Sequence, residues 1–261
     1  MANLSALQVI STGIAIVFVS GCVRLFWLFL SISRPVRDPR IKYPKTGPSH
    51  MVVVLGSGGH TAEMMSLLRD VDPTKYIHRT YIISSGDGFS SDRAFDIETK
   101  IQSRHNHGNV SSVGEVYPAT GKWEVKIVPR ARKIHQSRWT TALSSLWCLI
   151  SCMATLRTSS ITSIVSPFDY PDVIIANGPA TAVMVVLASF LLKLFGFAPI
   201  YKMKTIYVES WARVKTLSLS GKVLLWLRIC DKFVVQWEEL AKNINQDGTR
   251  RKVEWSGFLV E

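Results

Sequence analysis

Between Met51 and Gly59 the chain reads Met-Val-Val-Val-Leu-Gly-Ser-Gly-Gly, and this junction limits the possible folds more than any other stretch. A continuous, β-branched apolar run of that length reads as a parallel strand buried on both faces. Gly56, Gly58 and Gly59 then let the backbone turn sharply and come close to a ligand or a packed neighbour. From Ala62 to Arg69 the residues Met64, Met65, Leu67 and Leu68 supply the apolar face of a helix. Strand, glycine loop and helix start form the corner of a Rossmann-like unit, where the helix N-terminus favours negative charge.

The loop is neither of the two best-known phosphate loops. Thr61 stands where a dinucleotide fingerprint needs its third glycine, and there is no Gly-Lys-Ser/Thr. Its unusual residue is His60, at the mouth of the helix. Two readings stand: a cap or loop contact, or a part in ligand binding or proton transfer.

The N-terminal segment, Leu4 to Ile32, is longer than the ~20 apolar residues a helix needs to cross a bilayer. The first twenty-three residues hold no Lys or Arg, whereas Arg34, Arg37, Arg40, Lys42 and Lys45 come directly after the segment. That charge bias orients the C-terminal side of the segment, and the large domain with it, toward the cytosol. It is also unlike a cleaved signal peptide, with its basic start and shorter apolar run. Arg24 interrupts the span, so either its side chain snorkels or the span slides toward the N-terminus. Residues 1–32 are therefore read as a membrane anchor. Residues 33–49, with Pro35, Pro39, Pro44 and Pro48, are read as a basic linker. Residues 50–261 are read as one cytosolic domain.

Within that domain, strand and helix patterns alternate about six times. Ile77 to Ser85 reads as a strand ending in Ser84-Ser85-Gly86-Asp87-Gly88, and Ser90 to Gln102 as a helix. Asp87 suits a turn for local reasons, or a ribose hydroxyl in a dinucleotide site. Arg104 to Thr120 is polar and reads as a loop. Its His105 and His107 have no Cys or acidic neighbours to complete a metal site.

Trp123 to Val128 reads as a strand and runs into the basic stretch Pro129 to Arg138. Arg130 and Arg132 in that stretch either face solvent or meet phosphate. Trp139 to Leu156 and Ala180 to Leu194 read as helices, the second a core helix. Pro171 to Ala176 reads as a strand leading into Asn177-Gly178-Pro179. Ile200 to Val208 ends in Glu209, a carboxylate placed for chemistry or for pairing with Arg213. Leu217 to Leu227 and Lys232 to Gln236 complete the pattern as helix and strand. The whole is a doubly wound α/β sheet with no second Rossmann-like half.

A net charge of +12 and a pI near 9.7 suit nucleic acid, anionic membrane or phosphorylated ligands. No nucleic-acid-binding motif is present, which leaves membrane and phosphate. Cys22, Cys148, Cys152 and Cys230 form no zinc or redox pattern. The apolar C-terminal stretch from Trp255 to Glu261 reads as one that docks on its own fold or on a partner.

Five motifs occur in one order on this anchored chain. They are Gly-Ser-Gly-Gly-His-Thr-Ala-Glu-Met (56 to 64), Ile-Ile-Ser-Ser-Gly-Asp (82 to 87), Val-Pro-Arg-Ala-Arg (128 to 132), Asn-Gly-Pro-Ala-Thr (177 to 181) and Tyr-Val-Glu-Ser-Trp-Ala-Arg-Val (207 to 214). Together they strongly resemble the membrane-anchor subunit of the UDP-N-acetylglucosamine transferase of asparagine-linked glycosylation. The resemblance runs from Met51 to the C-terminus. It implies the acceptor-side half of a split GT-B glycosyltransferase on the cytosolic face of the endoplasmic reticulum. A separate soluble subunit then holds most of the UDP-GlcNAc. The complex adds the second GlcNAc, β1,4 and with inversion, to GlcNAc-diphosphate-dolichol.

The glycine loop also looks like that of the bacterial lipid-linked GlcNAc transferase of peptidoglycan precursor synthesis. On these resemblances His60 is the candidate base, with Glu209 a second catalytic candidate. Gly56, Ser57, Gly58, Gly59, Thr61, Arg130, Arg132, Asn177 and Gly178 are candidates to bind the acceptor and its phosphates. Phe258, Leu259 and Val260 are candidates for the partner interface. No Asp-x-Asp is present, and neither metal nor cofactor is expected. Two other readings compete: a membrane recruiter with no residue in the chemistry, and an NAD(P)-dependent oxidoreductase. The missing third glycine and the lack of a Tyr-x-x-x-Lys pair count against the latter.

Overall fold

The computed structural model describes residues 2–33, 49–106, 120–132, 138–161, 170–178, 180–246, 253–257 and 259. Helix α1 (Ala2–Ser33) precedes β1 (His50–Val54), α2 (Gly59–Leu67), β2 (His78–Ser84), α3 (Gly88–Asn106) and β3 (Lys122–Val128). Then come α4 (Arg138–Ile161), β4 (Val173–Asn177), α5 (Ala180–Leu194), β5 (Lys204–Val208), α6 (Leu219–Leu227), β6 (Lys232–Val235), α7 (Glu238–Gln246) and β7 (Glu254–Trp255). The strands form one parallel sheet in the order β3-β2-β1-β4-β5-β6-β7. The α/β class and the doubly wound topology read from the sequence are what the chain adopts.

Strand order reverses between β1 and β4. The chain builds outward from β1 to β3, returns over the sheet through the long helix α4, and builds the other way. Strand alternation then decides which helices cover which face. Met51, Val53, Leu55, Tyr81 and Ile83 pack with Met64 of α2, with Leu68 just after it, and with Ala94, Ile97 and Ile101 of α3. Val52, Val54, Ile82, Ile174 and Ala176 face the other way, into a core shared with α4, α5, α6 and α7. Helix α5 has ten buried residues, so it is a core helix, as its all-round apolar sequence suggests.

Element edges moved where local chemistry overrode pattern. The strand read from Ile200 starts only at Lys204, after a turn with Met203 at φ 50°. The helix read from Ala62 starts at Gly59. Helix α7 and two-residue β7 have no counterpart in the sequence reading, and β7 is below the length at which periodicity is legible. The linker 34–48, His107 and most of its loop, and Phe258 and Val260 lie outside the described residues.

Two polar features sit inside this core. Arg79 and Glu98 form a two-pronged pair between β2 and α3, with Nε to Oε1 at 2.7 Å and Nη2 to Oε2 at 2.6 Å. The Tyr81 hydroxyl donates to the same carboxylate at 2.6 Å, and Arg79 also donates to the Tyr76 carbonyl at 2.7 Å. Each guanidinium nitrogen and each carboxylate oxygen in the cluster thereby has a partner, which burial of charge requires.

The second feature is the His50–His78 pair at the opposite end of the strands from the glycine loop. Their rings meet edge to face at 4.2 Å, and His50 Nε2 lies 2.9 Å from Thr80 Oγ1.

Arg24 is not stranded in the apolar helix. Its Nε donates to the Lys193 carbonyl in the last turn of α5 at 2.8 Å. Carbonyls in a helix's last turn lack a continuing intrahelical ladder, so they are open to such a donor. Leu28 is buried beside it, and Phe29 meets Phe190 with ring centroids 6.1 Å apart. The last turns of α1 are thus packed on the α/β unit. Gln8–Leu30 is the one stretch, among the described residues, long and apolar enough to cross a membrane.

Burial, then the nearby His78, pushes His50 down from 6.5 to about 3. Glu124 and Asp172 oppose that shift, and Lys202 adds to it. The folded chain therefore keeps a neutral ring where the unfolded chain takes up a proton. Stability from this group is intact above pH 6.5 and is lost as pH falls from 6.5 toward 3, at up to roughly 1.4 kcal/mol per pH unit. Thermal unfolding of the full chain in detergent between about pH 7.5 and about pH 4.5 should show this decline. His50→Gln should make the slope shallower; an unchanged slope would refute the assignment.

Candidate functional site

All five candidate segments end at the same edge of the sheet, because parallel strands deliver their C-terminal ends together. The edge is richest where β1 and β4 lie side by side, at the reversal of strand order. Open α/β sheets bind ligands at this point.

Gly56 leaves β1 buried, and its carbonyl accepts from the Thr61 hydroxyl. Thr61 Oγ1 also lies 2.7 Å from Ser90 Oγ, which bonds to Asp87 Oδ2 at 2.7 Å. Thr61 is fully buried, so it clasps the loop from below and faces α3 instead of open space. Asp87 accepts from the Ser90 amide at 3.1 Å and caps α3. The turn reading of Asp87 holds, and its carboxylate is not turned toward a ribose.

Ser57, Gly58 and Gly59 are exposed. Gly58 has φ +62°, a conformation that side chains disfavour. No heavy atom lies within 4 Å of where a Cβ would stand on Gly58 or Gly59. Packing therefore does not demand these glycines; the open space above the N-terminus of α2 suits an anion instead.

His60 opens α2 half-buried, and its Nδ1 lies 3.0 Å from Asn177 Oδ1. Asn177 is fully buried at the end of β4, so this bond joins the two sides of the switch point. Gly178, at φ +99°, supports the ring from beside it: a Cβ there would stand 2.9 Å from His60 Cγ. The Gly178 carbonyl accepts from the Tyr207 hydroxyl at 3.3 Å.

The sequence reading assigned Glu63 no role. One turn beyond His60, it is the hub of the site. Its Oε2 accepts from Asn177 Nδ2 at 2.9 Å and from the Trp211 amide at 3.3 Å, and its Oε1 accepts from Ser210 Oγ at 2.7 Å. The available signal was the i,i+3 spacing of His60 and Glu63, which places both on one helix face.

Glu209 lies elsewhere. It is 1% exposed, with its carboxylate under the N-terminus of α6. Its Oε2 accepts from the Ser218 amide at 3.1 Å and from Ser218 Oγ at 3.0 Å, and its Oε1 accepts from the Ser210 amide at 3.1 Å. Ser218 in turn caps α6 through the Gly221 amide at 3.0 Å. Burial pushes the Glu209 carboxyl above its ordinary range, while the bonds from Ser218 and Ser210 pull it back. This geometry holds the loop after β5 to the start of α6.

Arg130 also turns to the backbone: it donates to the Ser85 carbonyl at 2.9 Å and the Gly86 carbonyl at 3.2 Å. It fastens the end of β3 to the turn after β2. Arg132 is exposed and Leu259 half-buried. Among the described residues, no cluster of three or more His, Cys, Asp or Glu is placed to hold a metal ion.

Residues 51–257 match the family described as "Oligosaccharide biosynthesis protein Alg14 like". The chain is similar to the UDP-N-acetylglucosamine transferase subunit alg14 of Aspergillus fumigatus, at 39% identity over 76% of this chain and 100% of that protein. It is also similar to the subunit of that name in Candida albicans, at 35% identity over 96% of this chain and 94% of that one. For the Rattus norvegicus subunit the identity is 32%, over 73% of this chain and 76% of that one.

Gly178→Ala should displace the His60 ring. Strain at positive φ and overlap with the ring together should cost on the order of 2–4 kcal/mol. A lowered thermal midpoint in the full chain checks this. A midpoint within experimental error of wild type would show that the ring and the turn move apart freely.

Proposed function

The chain belongs to the Alg14-like family of oligosaccharide biosynthesis proteins, and on that premise we propose that it is the membrane-held, acceptor-side half of a UDP-GlcNAc transferase. The substrate in this reading is GlcNAc-diphosphate-dolichol at the endoplasmic reticulum, with the α/β unit in the cytosol. The basic residues on the C-terminal side of α1 support that orientation. A soluble subunit supplies the second half of the cleft and most of the contacts to UDP-GlcNAc. One observation carries the reading: His60 and Asn177 meet across the switch point beside an open glycine loop, on a chain with its own membrane-length helix.

The reaction in this reading is a single inverting displacement. The acceptor 4-hydroxyl attacks the anomeric carbon of GlcNAc, the bond to UDP breaks, and His60 takes the hydroxyl proton through Nε2. The amides of Gly58 and Gly59, at the positive end of α2, face the acceptor phosphates together with Ser57. Arg132 extends toward the same charge, and Arg130 holds the turn on which that side of the cleft rests. Glu209 fixes the loop that carries Ser210 and Trp211. Phe258, Leu259 and Val260 meet the soluble subunit.

Transfer from UDP-GlcNAc to a GlcNAc-diphosphate-lipid acceptor, by this chain co-expressed with its soluble partner, tests the assignment. His60→Ala should lower the rate about 100-fold or more with pull-down of the partner intact. Full activity in the variant would leave His60 structural and favour a pure recruiter. Deleting residues 258–261 should abolish the pull-down, and recovery of the complex without them would refute the tail's role.

A further inference from the structure

Three hydrogen bonds around Glu63 have a consequence for His60 that reaches beyond the position of its ring. A carboxylate accepts and cannot donate. Glu63 Oε2, 2.9 Å from Asn177 Nδ2, therefore fixes which way the Asn177 amide points. Its other partners, the Ser210 hydroxyl and the Trp211 amide, are donors as well, so all the bonds agree. With its NH2 committed to Glu63, Asn177 presents only its carbonyl oxygen to His60 Nδ1 at 3.0 Å. That oxygen is an acceptor, so Nδ1 must carry the ring proton. In a neutral imidazole the bare lone pair then belongs to Nε2, the nitrogen that Asn177 does not touch.

We infer that Glu63 is a positioning residue that sets the His60 tautomer through Asn177 and leaves Nε2 unprotonated. The three side chains form a relay, from an acceptor-only group to an amide to an imidazole. The buried amide between them transmits direction without carrying charge. Two neighbours hold the relay in line. Full burial of Asn177 prevents water from offering its amide other partners, and Gly178 keeps the ring from swinging away. The bonds to Ser210 and Trp211 tie the same carboxylate to the loop after β5. The tautomer stands on geometry alone; its kinetic effect rests on the proposal that His60 is the base.

Glu63→Gln isolates the effect, since glutamine fills the same space but can both donate and accept. Asn177 is then free to turn over and offer its NH2 to the ring. The full chain, labelled with 15N-histidine and held in detergent with its soluble partner, is read by imidazole 15N resonances in mildly alkaline buffer. His60→Ala identifies the His60 signals among the six histidines. The wild type should show a protonated Nδ1 and a bare Nε2. Glu63→Gln should give mixed tautomers, with kcat at least about tenfold lower and KM for the acceptor little changed. The double variant Glu63→Gln/Asn177→Asp re-creates an acceptor-only group against Nδ1 and should restore both tautomer and rate.

A wild-type ring protonated on Nε2 overturns the relay without recourse to any variant. A Glu63→Gln protein that keeps the wild-type tautomer also overturns it. If the tautomer moves as expected while His60→Ala retains activity, the relay stands and the proposed base does not.

Discussion

Everything at the candidate site depends on one seam, the parallel pairing of β1 with β4. Met51 lies opposite Val173 and Val54 opposite Ala176. One residue past that register, Leu55 stands beside Asn177, and the next few residues of each strand meet as loop against turn. A shift by a single position would turn Val52 and Val54 away from α5 and carry Asn177 out of reach of His60. Core packing and site geometry are therefore fixed by the same contacts. The seam is held by apolar residues, buried throughout β1 and buried or half-buried in β4, which tolerate little rearrangement.

How much of this could be read from the sequence differs from residue to residue, for physical reasons. The glycine loop and His60 were legible because strand, loop and helix succeed one another within thirteen residues, Met51 to Glu63. Asn177 was legible as a strand end, but its partner was not: the bond to His60 spans 117 positions, and no local pattern reports it. Glu63 was passed over because a glutamate on a helix surface is usually solvated. Only the fold brings Ser210 and Trp211 down onto it. Glu209 shows the reverse error of inference. A carboxylate at a strand's C-terminal end fits either chemistry or support, and the deciding fact is Ser218, nine residues on, whose amide and hydroxyl both meet it.

The same limit explains the arginines. A basic run after a strand reads as a phosphate surface, yet Arg130 spends its guanidinium on two backbone carbonyls of a neighbouring turn. Long cationic side chains often hold backbone this way, satisfying carbonyls that the end of a strand leaves without partners. Arg24 does so at the end of α5. From the sequence Arg24 reads as a side chain that snorkels or displaces the span, and Arg130 as one that faces solvent or phosphate; the structure gives each an internal bond.

That contact of Arg24 also changes what kind of attachment α1 provides. A helix joined to a domain only by a proline-rich tether would leave the domain free to tumble. Here Arg24, Leu28 and Phe29 seat the helix directly against α5, with Ala2 to Val23 extending beyond the contact for ~33 Å at about 1.5 Å per residue. The helix axis then sets the tilt of the whole sheet. With α1 in the bilayer as proposed, the seated domain keeps mainly the spin about the bilayer normal, where a tethered body would keep all three rotations. In that proposed arrangement the switch-point edge is held at one height and one inclination, and encounters with a membrane-borne acceptor become a two-dimensional search with the orientation already settled.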